Sequence, residues 1–238
     1  SDTSAIATPD FITIPGMEMH GPDPFTGTDY HILAVGVNSL ERSDDTWGPQ
    51  EAIDRVNADG GIAVMAHPYW LGQSSFNIRE LHGFVGMEVF NSVCDRTKGK
   101  GFSNITWDEY LTQSGRTWGF ATDDVHWKYG AEGRGWVMVR TNDTTPAGIV
   151  TALRRGEFYS SMGPTIKDVR VESGRVCVQT SPVSRITIVA ARASGSNNCA
   201  VGDQLTEAVH ELQGTEQYIR VEIEDAHGCH AWSNPIML

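Results

Sequence analysis

The first 163 residues alternate short apolar runs with stretches of helical periodicity. Apolar runs typical of strands occur at 11–19, 31–37, 61–66, 85–90, 117–121 and 135–140. Helical patterns lie between them, at 49–59, near 78–82, near 107–114 and at 145–155. Strands that alternate with helices in this way are typical of βαβ units. The pattern therefore predicts an α/β architecture with a mainly parallel sheet or barrel.

The pattern changes after Gly163 and Pro164. Apolar residues now alternate with polar ones at a period of two, as at Val169, Val171, Val176, Val178, Ile186 and Ile188. Glycines and a Ser-Pro pair separate these short segments, as turns separate strands. This texture predicts a small antiparallel β-sandwich. We therefore expect two domains, 1–163 and 164–238.

Composition and charge narrow the classes of partner. Of the 238 residues, 39% are hydrophobic and 20% charged, which is enough apolar material for a packed core. Lys and Arg number 18 against 30 Asp and Glu, giving a net charge of −12. This balance argues against nucleic acid as the main partner, because phosphate backbones attract basic surfaces. A small phosphorylated substrate remains compatible if a bound metal supplies positive charge. No apolar run approaches the roughly 18 residues that span a bilayer, so we expect no membrane partner.

The four cysteines give little support to a structural zinc site, because no C-x-x-C pair occurs. They are also too few for a disulfide framework in a chain of this length. A bridge between Cys199 and Cys229 and four free thiols are both compatible with the sequence. This cysteine usage favours a cytoplasmic location, with secretion left open.

Polar residues with metal-binding side chains lie at the ends of the predicted strands, where the loops of α/β enzymes converge on one face. They are Glu18, His31, His67, Asn91, Asp124 and His126. Taken singly, each has a structural explanation, such as a core histidine or a surface carboxylate. Three imidazoles and two carboxylates at the same expected edge predict a metal site instead. His20 and Asp123 are candidate supporting groups beside them.

Three further residues near these strand ends are candidate substrate-binding groups: Asn91, Arg96 and Trp127. A cation such as Arg96 would suit a phosphate, although solvated loop charges have the same appearance. An aromatic wall at Trp127 would suit an aromatic amide or carbamate, although rim packing explains it equally. The G-x-S-x-G, G-x-x-x-x-G-K-[ST] and G-x-G-x-x-G motifs are absent, so other reactive designs lack support in the sequence.

Several of these segments together resemble the PHP superfamily (polymerase and histidinol phosphatase). The segments stand in the family's order: IPGMEM, YHILAVG, GGIAVMAHP, GMEVFN and ATDDVH. Residues 133–164 also resemble a segment common in stand-alone PHP hydrolases of the carbamate-hydrolysing branch. Residues 226–238 resemble the end of the β-sandwich that closes those proteins. The resemblance spans essentially the whole chain.

The resemblance implies a distorted seven-stranded β/α barrel followed by the small antiparallel β-sandwich. It also implies two or three divalent ions (manganese, zinc or iron) in the complete site. Glu18 matches the family's bridging glutamate, His31 and His67 match histidine ligands, and Asp124 with His126 matches the terminal Asp-x-His pair. The family's opening His-x-His strand and its Thr-Asp-His have no counterpart here. The expectation is that a preceding N-terminal segment completes the barrel.

The leading functional hypothesis is a divalent-metal-dependent phosphoesterase that acts on a small phosphorylated substrate through a metal-activated water. Its expected catalytic residues are Glu18, Asp124 and His126. One alternative is a metal-dependent amide or carbamate hydrolase. The other is a non-catalytic binding protein that retains only part of a metal site.

Overall fold

The computed structural model describes residues 4–8, 10–22, 27–40 and 47–238. In this part of the chain, a short 3-10 turn at Ser4–Ile6 is followed by six α-helices: α1 (Pro49–Ala58), α2 (Pro68–Leu71), α3 (Ser75–Ile78), α4 (Ser92–Lys98), α5 (Asn104–Gln113) and α6 (Pro146–Arg155). The strands are β1 (Gly16–Pro22), β2 (Asp29–Val35), β3 (Ile62–Met65), β4 (Gly86–Asn91), β5 (Trp118–Thr122), β6 (Trp136–Val139), β7 (Phe158–Ser161), β8 (Ile166–Glu172), β9 (Arg175–Val183), β10 (Arg185–Ala190), β11 (Gly195–Cys199), β12 (Leu205–Glu211), β13 (Tyr218–Glu224), β14 (His230–Ser233) and β15 (Ile236–Met237).

The longer elements form where the sequence pattern places them. Helix α1 begins at Pro49, whose fixed φ suits the first helical turn, and it buries Ala52, Ile53 and Val56 on one face. Gly60, with a φ of 85°, follows the end of α1 in a conformation that favours glycine. The first strand begins at Gly16, five residues later than its apolar run begins. Each described helix is too short or too polar to cross a membrane.

The first sheet carries the strand ends of interest and has the order β1-β2-β3-β4-β5. Strands β1, β2 and β3 pair antiparallel, whereas β3, β4 and β5 pair in parallel. Since β2 runs opposite to β3, the beginning of β2 lies beside the carboxyl end of β3, with Ile32 paired to Met65. This arrangement brings the start of β2 to the same edge as the ends of β3, β4 and β5.

Two antiparallel sheets account for the remaining described strands. The larger has seven strands in the order β11-β10-β13-β14-β7-β6, with β15 also paired to β13, and the smaller has the order β12-β9-β8. Their facing side chains share one apolar core that includes Val176, Val178, Ile186, Ile188 and Val221. The two sheets are therefore sandwich-like. Strands β6 and β7 precede residue 164 yet pair into the larger sheet, so this sheet draws on both sides of the proposed division.

The expectation of a distorted seven-stranded β/α barrel is wrong. The described residues form three sheets and six α-helices, strand exceeds helix, and no sheet closes on itself. The sequence pattern wrongly predicted parallel neighbours, because β1 and β2 form an antiparallel hairpin without a crossover helix. In addition, side chains from the larger sheet satisfy the outer edge of β5. Ala121 N donates to Ser160 Oγ at 2.8 Å, and Gly119 N donates to Asn234 Oδ1 at 3.0 Å.

A buried ion-pair network joins α5 to the larger sheet. The guanidinium of Arg220, in β13, is 1% exposed and donates two hydrogen bonds of 2.7 Å to the carboxylate of Asp108. It donates a third, of 3.0 Å, to Glu222, and lies 4.8 Å from the ring centre of Trp107. Glu222 also lies 3.0 Å from Nδ1 of His230. A buried charge is tolerated only when it is paired in this way.

The Glu222 carboxylate gives a testable dependence of stability on pH. Burial acts to raise its pKa, but His230 and Arg220 outweigh that effect and lower the pKa from 4.5 to about 2. A carboxylate with a lower pKa in the folded state stabilises the fold above its unfolded pKa, and this contribution is lost as the pH falls through the folded pKa. Glu222→Gln should cost on the order of 3 kcal/mol at neutral pH, since one pKa unit corresponds to about 1.4 kcal/mol.

Denaturant unfolding at a series of pH values tests this expectation. The difference in unfolding free energy between wild type and Glu222→Gln should narrow as the pH falls from about 5 towards 2. Glu172→Gln is the matched control, because that carboxylate is exposed and pairs with Arg170 only at the surface. A difference for Glu222→Gln that stays constant over this pH range would contradict the assignment.

Candidate metal centre

The hairpin of β1 and β2 presents three polar side chains on one face. Glu18 and His20 are two residues apart in β1, and His31 is paired with His20 across the hairpin. Because side chains alternate along a strand, all three point to the same side. The two imidazole rings stack with centres 4.1 Å apart. Oε1 of Glu18 lies 2.6 Å from Nδ1 of His31 and 3.3 Å from Nε2 of His20.

His67 completes this group from the end of β3. Its side chain is 4% exposed, and its Nε2 lies 3.6 Å from Oε1 of Glu18. The backbone has a φ of 28°, which is rare for a residue with a Cβ and marks a position held by its surroundings. Nδ1 of His67 is buried without a hydrogen-bond partner. Nδ1 of His31 is also enclosed, and its nearest partner is Oε1 of Glu18 at 2.6 Å.

The carboxylate of Glu88, in the middle of β4, is buried next to His67. It accepts hydrogen bonds from the backbone N of His67 at 2.7 Å, from Nδ2 of Asn91 at 2.8 Å and from Oγ1 of Thr122 at 2.6 Å. Glu88 is not among the site residues predicted from the sequence. The available signal was a glutamate inside GMEVFN, a strand buried on both faces, where an acidic residue needs a partner. Glu88 fixes the loops that carry the neighbouring ligand candidates.

Asp124 and Cys94 approach His67 from β5 and α4. The potential ligand atoms of His67, Cys94 and Asp124 all lie within 4.8 Å of one another, as do those of Glu18, His31 and His67. Asp124 has a φ of 54°, a second residue in a sparsely populated backbone conformation. The proximity of Cys94 was missed, because nothing in its local sequence reports a partner that is distant along the chain.

The other predicted site residues take different positions. His126 lines the same cavity, but its side chain is 53% exposed and its Nδ1 faces the backbone oxygen of Asp124 at 2.6 Å. Asn91 is buried, and its amide binds Glu88, Asp124 and the backbone N of Cys94. Asn91 therefore positions other groups.

Arg96 and Trp127 differ in their relation to the cavity. Arg96 lines it, whereas Trp127 is 83% exposed and lies outside its lining. Asp123, proposed as a supporting group, accepts hydrogen bonds from the backbone N of Gly133, Arg134 and Gly135, and so shapes the loop after β5. The cavity measures about 620 Å³. All four cysteine thiols are free, including those of Cys199 and Cys229.

The electrostatics show an excess of negative charge around His67. Burial opposes ionisation of Glu18, but the contacts and charges of His31 and His67 hold its pKa well below the usual range. Burial acts to lower the pKa of His67, and the neighbouring carboxylates of Glu18, Glu88 and Asp124 raise it instead. Burial, together with the charge of Glu18, raises the pKa of Asp124. Three carboxylates in one partly enclosed site repel one another, and a cation would relieve this repulsion.

Two acidic groups have raised pKa values, and burial is the largest cause in each case. Burial raises the pKa of Glu88, although the charge of His67 and the hydrogen bonds from Thr122 and Asn91 oppose the shift. Burial and the charges of nearby carboxylates raise the pKa of the Cys94 thiol.

The residues present fit a divalent metal ion. Imidazole nitrogens and carboxylate oxygens are the usual ligands of zinc, iron and manganese in proteins. The buried Nδ1 of His67 has no hydrogen-bond partner and is free to bind an ion, and the negative charge of the site favours one. Neither a protein-family model nor a curated protein matches this chain, so the assignment depends on the geometry alone.

Proposed function

We propose that this protein is a divalent-metal-dependent hydrolase, of the phosphoesterase class, that acts on a small molecule. One observation carries the proposal. Glu18, His31 and His67 converge from three strands on one cavity, with a buried imidazole nitrogen left unpartnered. The resemblance of the sequence to the PHP superfamily agrees with this chemistry, independently of the barrel that it wrongly implied.

Glu18, His31 and His67 would hold a divalent ion, with Asp124 beside them. Such an ion supplies an activated water at neutral pH and neutralises charge on a phosphoryl oxygen. Glu88 and Asn91 keep these groups in place through the buried hydrogen bonds described above. Manganese, zinc and iron all accept this set of ligands, and a complete site of two or three ions would need further ligands from elsewhere.

The cavity mouth favours an anionic substrate. Arg96 and Lys98, both on α4, line the cavity on its solvent side. Guanidinium and ammonium groups bind phosphate oxygens through charge-assisted hydrogen bonds. The rings of Trp70 and Tyr129 line the same cavity and provide an apolar surface beside the cations. A small aromatic phosphate ester combines the two features that this lining recognises.

His126 lies at the rim of the cavity, where it could transfer a proton to a bound substrate. Its imidazole lines the cavity and is half exposed, so it is open both to the cavity and to solvent. Histidine is the side chain best suited to proton transfer near neutral pH. We assign it the role of giving a proton to the leaving-group oxygen. Asn91, by contrast, is buried and acts through Glu88 and Asp124.

The alternative substrate class is an aromatic amide or carbamate. Trp70 favours it, because an aromatic ring lining the cavity would pack against such a substrate. Arg96 and Lys98 at the cavity mouth favour the phosphate ester instead. A non-catalytic binding protein would retain only part of a metal site and hydrolyse neither class.

A substrate screen tests the proposal directly. Purified protein loaded separately with manganese, zinc or iron(II) should hydrolyse aryl phosphates faster than the matched aryl carbamates and amides. Faster turnover of carbamates or amides would shift the assignment to the alternative class. Metal binding without hydrolysis of any of the aryl phosphates, carbamates or amides would overturn the enzymatic proposal.

Arg96→Met should raise KM for the aryl phosphate by about tenfold while changing kcat little. A charge-assisted hydrogen bond is worth about 1.5–3 kcal/mol, and solvent exposure of Arg96 reduces this value. Steady-state kinetics measures both constants. Arg79→Met is the matched control, because Arg79 lies against Phe76 and outside the cavity lining. An unchanged KM in Arg96→Met would remove this residue from the substrate site.

A further inference from the structure

Cys94 is a buried thiol held at the wall of the metal cavity. It lies in the first turn of α4, which begins directly after β4. Its backbone N donates a 2.9 Å hydrogen bond to Oδ1 of Asn91, the residue that caps the helix. The residue is 3% exposed, and it lines the cavity together with Glu18, His31 and His67. The backbone of Cys94 is therefore fixed on the cavity side of the helix.

The distances place the thiol within reach of an ion bound by His67. The ligand atoms of His67, Cys94 and Asp124 are mutually within 4.8 Å. Ligand atoms of a zinc ion lie about 2.0–2.3 Å from it, so two of them are at most about 4.6 Å apart. The three atoms are therefore close enough for small side-chain movements to bring them around one ion.

Nδ1 of His67 provides a second, independent observation that points to a ligand at this place. Nδ1 of His67 is enclosed and has no hydrogen-bond partner, although the side chain is only 4% exposed. A buried polar atom without a partner costs about 1–3 kcal/mol. Its presence beside a carboxylate and a thiol is explained if an ion binds there. His67 also links this group to Glu18 and His31, because it is common to both groups.

We propose that Cys94 is a metal ligand, in its thiolate form, together with His67 and Asp124. The proposal rests on the metal-dependent function above and deepens it by specifying the metal. Binding releases the thiol proton to solvent, and the sulfur lone pair forms the bond to the ion. Thiolate is a soft ligand that selects zinc, iron(II) or cobalt(II) over manganese and magnesium. The protein should therefore prefer zinc or iron(II) to manganese.

Cobalt(II) provides a readout that does not depend on hydrolysis. The full chain titrated with cobalt(II) should develop the near-ultraviolet charge-transfer absorption of a thiolate–cobalt bond. Cys94→Ser should lose this band and bind zinc at least about tenfold more weakly, as expected for removal of a group at the site. Cys177→Ser is the matched control, because this thiol lies in β9 of the smaller antiparallel sheet.

The outcomes separate this inference from the proposed function. A thiolate band in a protein that hydrolyses no substrate upholds Cys94 as a ligand and refutes the enzymatic proposal. Metal-dependent hydrolysis without a thiolate band in the wild-type protein overturns the inference alone. The wild-type spectrum decides the matter even if Cys94→Ser fails to fold, and circular dichroism identifies that case. A band that persists unchanged in a folded Cys94→Ser protein also overturns the inference.

Discussion

Glu18→Gln is expected to abolish metal-dependent hydrolysis in a protein that still folds but is less stable, because the lowered pKa of Glu18 marks a carboxylate that stabilises the folded state. Glutamine keeps the shape of the side chain but removes the negative charge that contacts His31 and His67. A bound ion would thereby lose an anionic ligand, and with it transition-state stabilisation worth several kcal/mol. Since each 1.36 kcal/mol corresponds to a factor of ten in rate, kcat/KM should fall about 1,000-fold or more. Kinetics with an aryl phosphate and saturating metal measures this change.

Glu80→Gln is the matched control for this substitution. That carboxylate is exposed, pairs only with the neighbouring Arg79 and lies outside the cavity lining. It should retain wild-type kinetics and melting temperature. Undiminished hydrolysis in Glu18→Gln would exclude Glu18 from the reaction, and equal losses in both variants would indicate a nonspecific effect.

Arg220→Met is expected to have the largest effect on stability. The guanidinium is fully enclosed and satisfies the carboxylates of both Asp108 and Glu222. Methionine retains much of the volume but leaves two carboxylates without their cation. Removing one partner of a buried ion pair typically costs about 3–5 kcal/mol. Denaturant unfolding monitored by tryptophan fluorescence measures this loss, because Trp107 lies against the guanidinium.

Arg170→Met gives the comparison for a surface pair. Arg170 is about half exposed and pairs with Asp168 and Glu172 at the edge of the smaller sheet. Exposed pairs contribute about 0–1 kcal/mol, so this variant should unfold nearly as wild type does. If Arg220→Met were no less stable than Arg170→Met, the network would not join α5 to the larger sheet as described.

Much of the candidate site could be predicted from the sequence, because polar residues at strand ends are visible in local pattern alone. Glu18, His31 and His67 were identified as polar residues at the ends of apolar runs, and the structure brings them together. The two-residue period of β1 and β2 is sufficient to place Glu18 and His31 on one face. Local pattern also located the longer helices, such as α1, whose buried face recurs at helical spacing.

Strand pairing could not be predicted from the same information. Alternation of strand and helix suggested parallel neighbours, yet β1 and β2 pair antiparallel and side chains of the larger sheet cover the edge of β5. Ser160 and Asn234 make those contacts from positions far along the chain, so no local pattern reports them. Cys94 and Glu88 were missed for the same reason, since their roles depend on which residues surround them in space.

The most direct test of the proposed metal centre is the metal content of the purified 238-residue chain after dialysis against metal-free buffer. Mass spectrometry of the elements should find at least one divalent ion per chain, with zinc or iron in excess of manganese. The Glu18→Gln and His67→Ala variants should lose most of it, whereas Glu80→Gln should retain it. Less than one ion per chain in the wild type after incubation with zinc or iron(II), or a content unaffected by these two substitutions, would contradict the account.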